Sequence, residues 1–285
     1  MRTRKFFAIV MAIVLGASST ACGTESYSVE NLENTIPMTV EFYDEYDEED
    51  ECLDFDSDIL GEADSETEKV LKDCQLKVSK FFKNNDIDVV DKLSKLENTY
   101  IYCAPESGID GFYKPGTYDV YLEADTLLDT DYLKFVYIHE LMHYLGFEDN
   151  ETTMMQEGMA DAIAEDILGY SYEYSYDMPR WLCHQLITAD SELLSFIIDG
   201  GDIDDRIDER LKDVPRKWHV PEHNLEMSKV LDVLLYNLEY DTYLDIDTII
   251  AYSDQCQAII VAYCNTFDLT DEQKKELSEY TIELE

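Results

Sequence analysis

The chain has 285 residues, and 64 acidic residues against 21 Lys and Arg give it a formal net charge of −43 at pH 7. A surface this acidic repels nucleic acid and anionic lipid and attracts cations, so we expect no nucleic-acid partner. The length is sufficient for one large domain or two smaller lobes with a buried core.

The first 21 residues are typical of an export signal. A basic head at residues 2–5 precedes an apolar run at residues 6–15, and small residues then lead to Cys22. The apolar run is too short to span a bilayer comfortably. Residues 19–22, STAC, resemble the lipobox of bacterial lipoproteins, although Ser19 stands where Leu is usual. We therefore expect residues 1–21 to be a signal peptide and Cys22 to carry a lipid that holds the protein on the extracellular face of a bacterial membrane. The alternative is ordinary cleavage and a freely secreted product.

The cysteine count is consistent with an oxidising exterior. Seven cysteines are present, and lipidation of Cys22 would leave six, an even number suited to disulfides. The sequence does not choose the pairing. Cys256 and Cys264 fall in one predicted helix, roughly 12 Å apart, which is too far for a bridge between them. The alternative is that all six remain free thiols in the core.

The segment from residue 22 to residue 60 is expected to be an extended acidic tether. Between Glu41 and Asp58, 11 of 18 residues are acidic, and their mutual repulsion favours an extended chain. Cys52 in this segment is a candidate for a bridge to the body of the protein.

The remaining elements follow from periodicity and from helix start and stop signals. A helix is predicted at residues 63–83, and two strands are predicted at residues 99–104 and 117–124, joined by a turn at residues 108–116. A helix after residue 130 should end at Gly146, and another at about residues 153–168 should end at Gly169. Residues 179–285 are predicted to be almost wholly helical. The fold class is therefore α+β, with a small sheet followed by a mostly helical C-terminal lobe.

The motif HELMH at residues 139–143 predicts a metal site. At about 100° per residue, a helix places His139 and His143 on one side with Glu140 beside them, and the apolar side chains fall on the opposite side. Two imidazoles one turn apart can reach a single Zn²⁺. Bound zinc lowers the pKa of its water to about 7, and Glu140 can accept that proton.

This motif resembles that of the zincin metallopeptidases, over about residues 98–169. The resemblance implies peptide-bond hydrolysis with Zn²⁺ as cofactor, and a small sheet whose edge strand binds an extended peptide beside the HExxH helix. The predicted strand at residues 117–124 is suitably placed to be that edge strand. Residues 61–169 are then a zincin-like catalytic subdomain, and residues 170–285 are the helical C-terminal lobe.

Two carboxylates are candidates for the third zinc ligand. If the site resembles the gluzincin, or thermolysin-like, group, Glu157 binds zinc from the next helix and Asp161, one turn on, orients a histidine. If it resembles the metzincins, Asp149 is the ligand and TTMM at residues 152–155 is the methionine turn. We favour Glu157 because it shares a helical face with Asp161, whereas the methionine turn would follow Asp149 too closely.

The predicted function is a zinc-dependent peptidase that acts on a peptide or protein substrate at the cell surface. The tetrahedral oxyanion needs a further donor, and the sequence does not choose among His184, His219, His223 and the tyrosines. The alternative is a non-catalytic surface-binding lipoprotein whose zinc is structural or absent. Glu140 argues against that alternative, because a structural site needs no base.

Overall fold

The computed structural model describes residues 39–42, 65–96, 98–102, 109–116, 118–146, 153–172, 176–214, 226–241 and 243–280. The predicted signal peptide, Cys22, Asp149, His219 and His223 lie outside these residues. The helices, with the bounds that the structure gives them, are α1 (Ser65–Asn84), α2 (Val90–Leu93), α3 (Thr130–Gly146), α4 (Met154–Leu168), α5 (Asp177–Ala189), α6 (Leu193–Ile198), α7 (Ile203–Leu211), α8 (Met227–Tyr240), α9 (Ile246–Cys264) and α10 (Asp271–Tyr280).

Four strands form one sheet in the order β1-β2-β4-β3. They are β1 (Thr39–Phe42), β2 (Asn98–Tyr102), β3 (Gly111–Tyr113) and β4 (Asp119–Glu123). The first three strands in this order are parallel, and β3 runs antiparallel to β4. The protein is therefore α+β, as predicted.

Two features of the sheet differ from the sequence prediction. The strand expected at the edge, β4, lies between β2 and β3, and the terminal strand is β3, in a segment expected to be only a turn. In addition, residues 39–42, within the expected tether, pair with β2. The pairing of β1 with β2 joins distant segments of the chain, and β3 is only three residues long, so neither strand has a clear pattern of its own.

The sheet packs one face on the helices. Ile101, Val120 and Leu122 are buried in the main core, and alternate residues point to the opposite face, where Tyr100 and Phe112 stack on the ring of Tyr121. One side of the sheet thus belongs to the core beneath α3, and the other carries an aromatic layer.

Helices α1, α3 and α4 lie close to their predicted bounds. Helix α3 begins where the Asp129 carboxylate accepts hydrogen bonds from the backbone N–H groups of Asp131 and Tyr132. It is buried on almost every side from residue 135 to residue 146. The sheet, α1 and α4 surround α3, and its polar side chains are therefore buried as well.

The C-terminal part is helical, as predicted. Helix α5 packs on α4, and α8 and α9 pack on each other and on the neighbouring helices. Within the part of the chain that the structure describes, no helix combines the length and the apolar character that crossing a membrane requires.

The expected disulfide framework is wrong for the cysteines that the structure describes. All four are free and buried, namely Cys74, Cys183, Cys256 and Cys264. Burial raises the pKa of the thiols of Cys74, Cys256 and Cys264 to about 12, so that they remain protonated. The expectation that Cys256 and Cys264 do not pair with each other is confirmed. Each thiol fills space in the core as a small apolar group, while Cys52 and Cys103 lie outside the described residues.

Candidate metal centre

Three side chains from two neighbouring helices converge on one point. His139 and His143 come from α3, and Glu157 comes from α4. The Nε2 atom of His139 lies 3.0 Å from Nε2 of His143 and 3.1 Å from Oε2 of Glu157, and Nε2 of His143 lies 3.6 Å from Oε1 of Glu157. These are the three donors that the gluzincin-like hypothesis requires. The rival ligand, Asp149, lies outside the described residues.

The donor set fits a zinc ion. A tetrahedral ion about 2.0–2.1 Å from each donor separates neighbouring donors by roughly 3.3 Å, close to the distances of 3.0–3.6 Å found here. Two imidazoles and one carboxylate would leave a fourth position open, as in catalytic rather than structural zinc sites.

Local sequence fixes the position of Glu157 on α4. The Thr153 hydroxyl accepts a hydrogen bond from the backbone N–H of Gln156, and the Gln156 side chain bonds back to Thr153, which completes a capping box. The helix ends at Gly169, which adopts the left-handed conformation with φ = 78°. With both ends fixed by local bonds, Glu157 faces α3.

Asp161 orients one of the histidines. One carboxylate oxygen lies 2.7 Å from Nδ1 of His139, and the other accepts a hydrogen bond from the backbone N–H of Tyr176 at 2.7 Å. Because Nδ1–H of His139 donates to Asp161, the ring is held with Nε2 toward the other two ligand side chains. Asp161 thus lies in the position that the sequence predicted for it.

Glu140 is buried beside the cluster but is not one of its three members. Its carboxylate accepts a hydrogen bond from the backbone N–H of Tyr113 on β3. The contact is close because Gly111 has no side chain: a Cβ there would lie 2.9 Å from Cγ1 of Val136 and 3.2 Å from Cγ of Glu140. Burial raises the pKa of Glu140, and His139 and His143 oppose this rise. A raised pKa suits a carboxylate that exchanges protons near neutral pH.

The electrostatic field at the cluster favours a cation. Burial lowers the pKa of His139, but the carboxylates of Asp161 and Glu157 outweigh burial and raise this pKa well above its ordinary value. Burial raises the pKa of Glu157, but His143 and His139 outweigh burial and lower it. Positive charge is therefore stabilised where the three donors meet, and a metal ion can replace the proton.

Of the three histidines considered as transition-state donors, only His184 belongs to the described residues, and its contacts are with α4 rather than with the cluster. His184 contacts Glu165 at 3.2 Å and Asp166 at 3.7 Å on the far part of α4. His219 and His223 lie outside the described residues. The structure instead brings Tyr176 to the site, with its ring centroid 6.4 Å from that of His139 and the two planes 25° apart. Burial raises the pKa of Tyr176, and Glu157 raises it further, so its phenol remains a donor. No spacing in the sequence distinguished Tyr176 from the other tyrosines.

The arrangement can hold a divalent cation, leave a ligand position open and supply an adjacent base. No protein-family model, curated protein or solved structure matches this chain. The chemistry of the site is therefore inferred from these residues alone.

Proposed function

We propose that this protein is a zinc-dependent peptidase in which Glu140 is the general base. The observation that carries the proposal is the buried Glu140 carboxylate beside a three-donor cluster that does not include it. A purely structural zinc site has four protein ligands and needs no such carboxylate. The same observation weighs against a non-catalytic binding protein.

Each residue of the site has a separate task in this proposal. Zinc, when bound, would supply a Lewis acid and a water of lowered pKa. Glu140 would accept the proton of the attacking water and pass it to the leaving amine. The backbone N–H of Tyr113 holds the Glu140 carboxylate in place, and Asp161 holds the His139 ring. The ring of Tyr176 lies beside that of His139, with the centroids 6.4 Å apart, so we assign its phenol as the donor to the oxyanion.

The peptide would enter along β3. This strand is terminal in the described sheet and packs on α3 at Glu140. An extended peptide added alongside a terminal strand gains backbone hydrogen bonds without regard to its side chains. The strand proposed for this role is therefore β3, in place of the edge strand expected from the sequence at residues 117–124.

We also propose that the protein acts on the outer face of a bacterial membrane, with a lipid on Cys22. The support is the basic head, apolar run and small residues before Cys22. Disulfides would have supported export to an oxidising exterior, but the four described cysteines are free thiols and give no such support. Mass spectrometry of the protein purified from membranes should show residues 1–21 removed and a diacylglyceryl adduct on Cys22. An unmodified, freely secreted product would contradict the anchor.

The test of the peptidase separates metal binding from hydrolysis. The purified protein should contain close to one zinc per chain by elemental analysis. Glu140→Ala should retain the zinc and lose hydrolysis of a peptide library, because it removes only the base. Glu157→Gln should lose zinc, whereas Glu165→Gln, a matched change two turns further along α4, should retain it.

Three outcomes would contradict parts of the proposal. Loss of zinc in Asp149→Ala but not in Glu157→Gln would support the metzincin-like assignment. Zinc binding without hydrolysis of any peptide would support the non-catalytic alternative. If the protein binds no zinc at all, it is not a zinc-dependent peptidase.

A further inference from the structure

Helix α8 exposes a stripe of large side chains to solvent. Val233, Tyr236 and Tyr240 are 58%, 57% and 49% exposed, and their spacing places them on one face of the helix. The opposite face, with Leu231 and Leu235, is fully buried. These three side chains form an exposed surface, the "α8 stripe", to which another molecule can bind.

The α8 stripe leads to the candidate metal centre. The Tyr240 hydroxyl lies 3.5 Å from the Tyr176 hydroxyl, and the Tyr176 ring lies over His139. Further along α8, the rings of Tyr236 and Tyr240 are 4.8 Å apart. A peptide whose scissile bond lies at the metal would need only a few residues, at roughly 3.3 Å each, to reach the stripe.

The chain that carries the stripe is acidic beyond Lys229, which precedes the stripe and forms an ion pair with Glu226. Between Lys229 and Lys274 the chain has nine Asp and Glu residues and no Lys, Arg or His. Asp241 and Asp245, which follow the stripe in the chain, are both exposed. An apolar stripe within a field of carboxylates is complementary to a ligand that carries apolar side chains and positive charge together.

We infer that the α8 stripe binds cationic amphipathic peptides, and that such peptides are the substrates of the site. This inference rests on the proposed peptidase function. Apolar side chains of the peptide pack on Val233, Tyr236 and Tyr240, and its Lys or Arg side chains face the carboxylates. A second copy of this chain is a poor occupant, because two surfaces of net charge −43 repel each other.

The binding test uses the full chain with Glu140→Gln, to prevent cleavage, in the presence of EDTA. The probe is a fluorescent synthetic peptide with Leu at helical spacing and Lys elsewhere, measured by anisotropy. Two matched peptides replace Lys by Glu or Leu by Ser. We expect only the Leu/Lys peptide to bind, and its affinity to fall as salt screens the carboxylates.

Variants locate the binding surface. The double variant Val233→Ser/Tyr236→Ser should weaken binding of the Leu/Lys peptide by about tenfold or more, because the apolar contact is lost. The control is Leu128→Ser, which removes an 83% exposed apolar side chain just before α3 and should leave affinity unchanged. All three positions are exposed, so circular dichroism should show native folding for both proteins.

The outcomes separate this inference from the peptidase proposal. Equal binding by the double variant and the control, or equal binding of the Lys and Glu peptides, would contradict the inference that the α8 stripe binds cationic amphipathic peptides. Self-association that the double variant abolishes also overturns it, in favour of a second copy as the occupant. If the zinc-loaded protein cleaves other peptides but not the Leu/Lys peptide, the substrate class is wrong while the peptidase stands. If it cleaves none, the proposed function fails, and the substrate class fails with it.

Discussion

Replacing Asp161 by Asn should weaken zinc binding by about 10- to 100-fold. Both atoms that face the Asp161 carboxylate are donors, Nδ1–H of His139 and the backbone N–H of Tyr176, each 2.7 Å away. A carboxylate accepts both bonds, but an amide offers one acceptor and one donor. The amide group of Asn therefore meets one of the two N–H groups donor to donor, in a position where the side chain is only 2% exposed.

The magnitude follows from the lost hydrogen bond. Leaving a buried donor unsatisfied costs about 1–3 kcal/mol. If the lost hydrogen bond is that of His139, its ring is no longer held with Nε2 toward the metal. A 10- to 100-fold loss of zinc affinity corresponds to about 1.4–2.7 kcal/mol, which is within the cost of that hydrogen bond. Competition with a chromophoric chelator at constant pH measures the affinity, and thermal unfolding of the metal-free protein shows how much of the cost falls on the fold instead.

The matched control is Asp166→Asn on the same helix. Its carboxylate faces His184 at 3.7 Å, away from the cluster, so zinc affinity should stay within about twofold of the unmodified protein. A folded Asp161→Asn protein that binds zinc as tightly as this control would refute the assigned role of Asp161.

Three further predictions concern the rest of the chain. Burial and neighbouring acids raise the pKa of Asp204 to about 7. The folded state therefore retains a proton that the unfolded state releases above about pH 4. The free energy of unfolding should fall as the pH rises from about 4 to about 7. Asp204→Asn should flatten this fall, with a gain of about 1–2 kcal/mol at pH 8 and little at pH 4; identical thermal unfolding profiles against pH for the two proteins would contradict it. Gly111→Ala should lower kcat by about tenfold or more with zinc retained, because the added methyl pushes β3 away from Glu140, and unchanged peptide hydrolysis would show that β3 does not position the base. Four described cysteines are free and buried: Cys74, Cys183, Cys256 and Cys264. Iodoacetamide at pH 8 should leave them unmodified in the native protein and alkylate them after denaturation. Peptide mass mapping that finds them alkylated in the native protein would contradict their burial.

The helices that carry the site could be predicted because their ends are encoded locally. Thr153 and Gly169 bound α4, and Asp129 caps the start of α3. With both helices fixed, the spacing of His139 and His143 placed the two imidazoles on one side of α3. The choice of Glu157 followed from its sharing a helical face with Asp161.

The sheet order and the neighbours of the site could not be predicted in the same way. The pairing of β1 with β2 joins residues that are far apart in sequence, and β3 is only three residues long. Neither leaves a periodic signal. Tyr176 reaches His139 only because α5 begins there, and 21 tyrosines give the sequence no means of selecting it. An even number of cysteines does not by itself indicate disulfides, because buried thiols can also fill a core, as the four described ones do.

The capping box at the start of α4 has a consequence for how an ion is captured. Thr153 and Gln156 fix that helix end by bonds within the chain, so the turn that carries Glu157 is held by the protein itself. Little conformational entropy then remains to be lost when the ion arrives. Far-ultraviolet circular dichroism should hardly change during a zinc titration, in contrast to zinc fingers, whose secondary structure forms only with the metal.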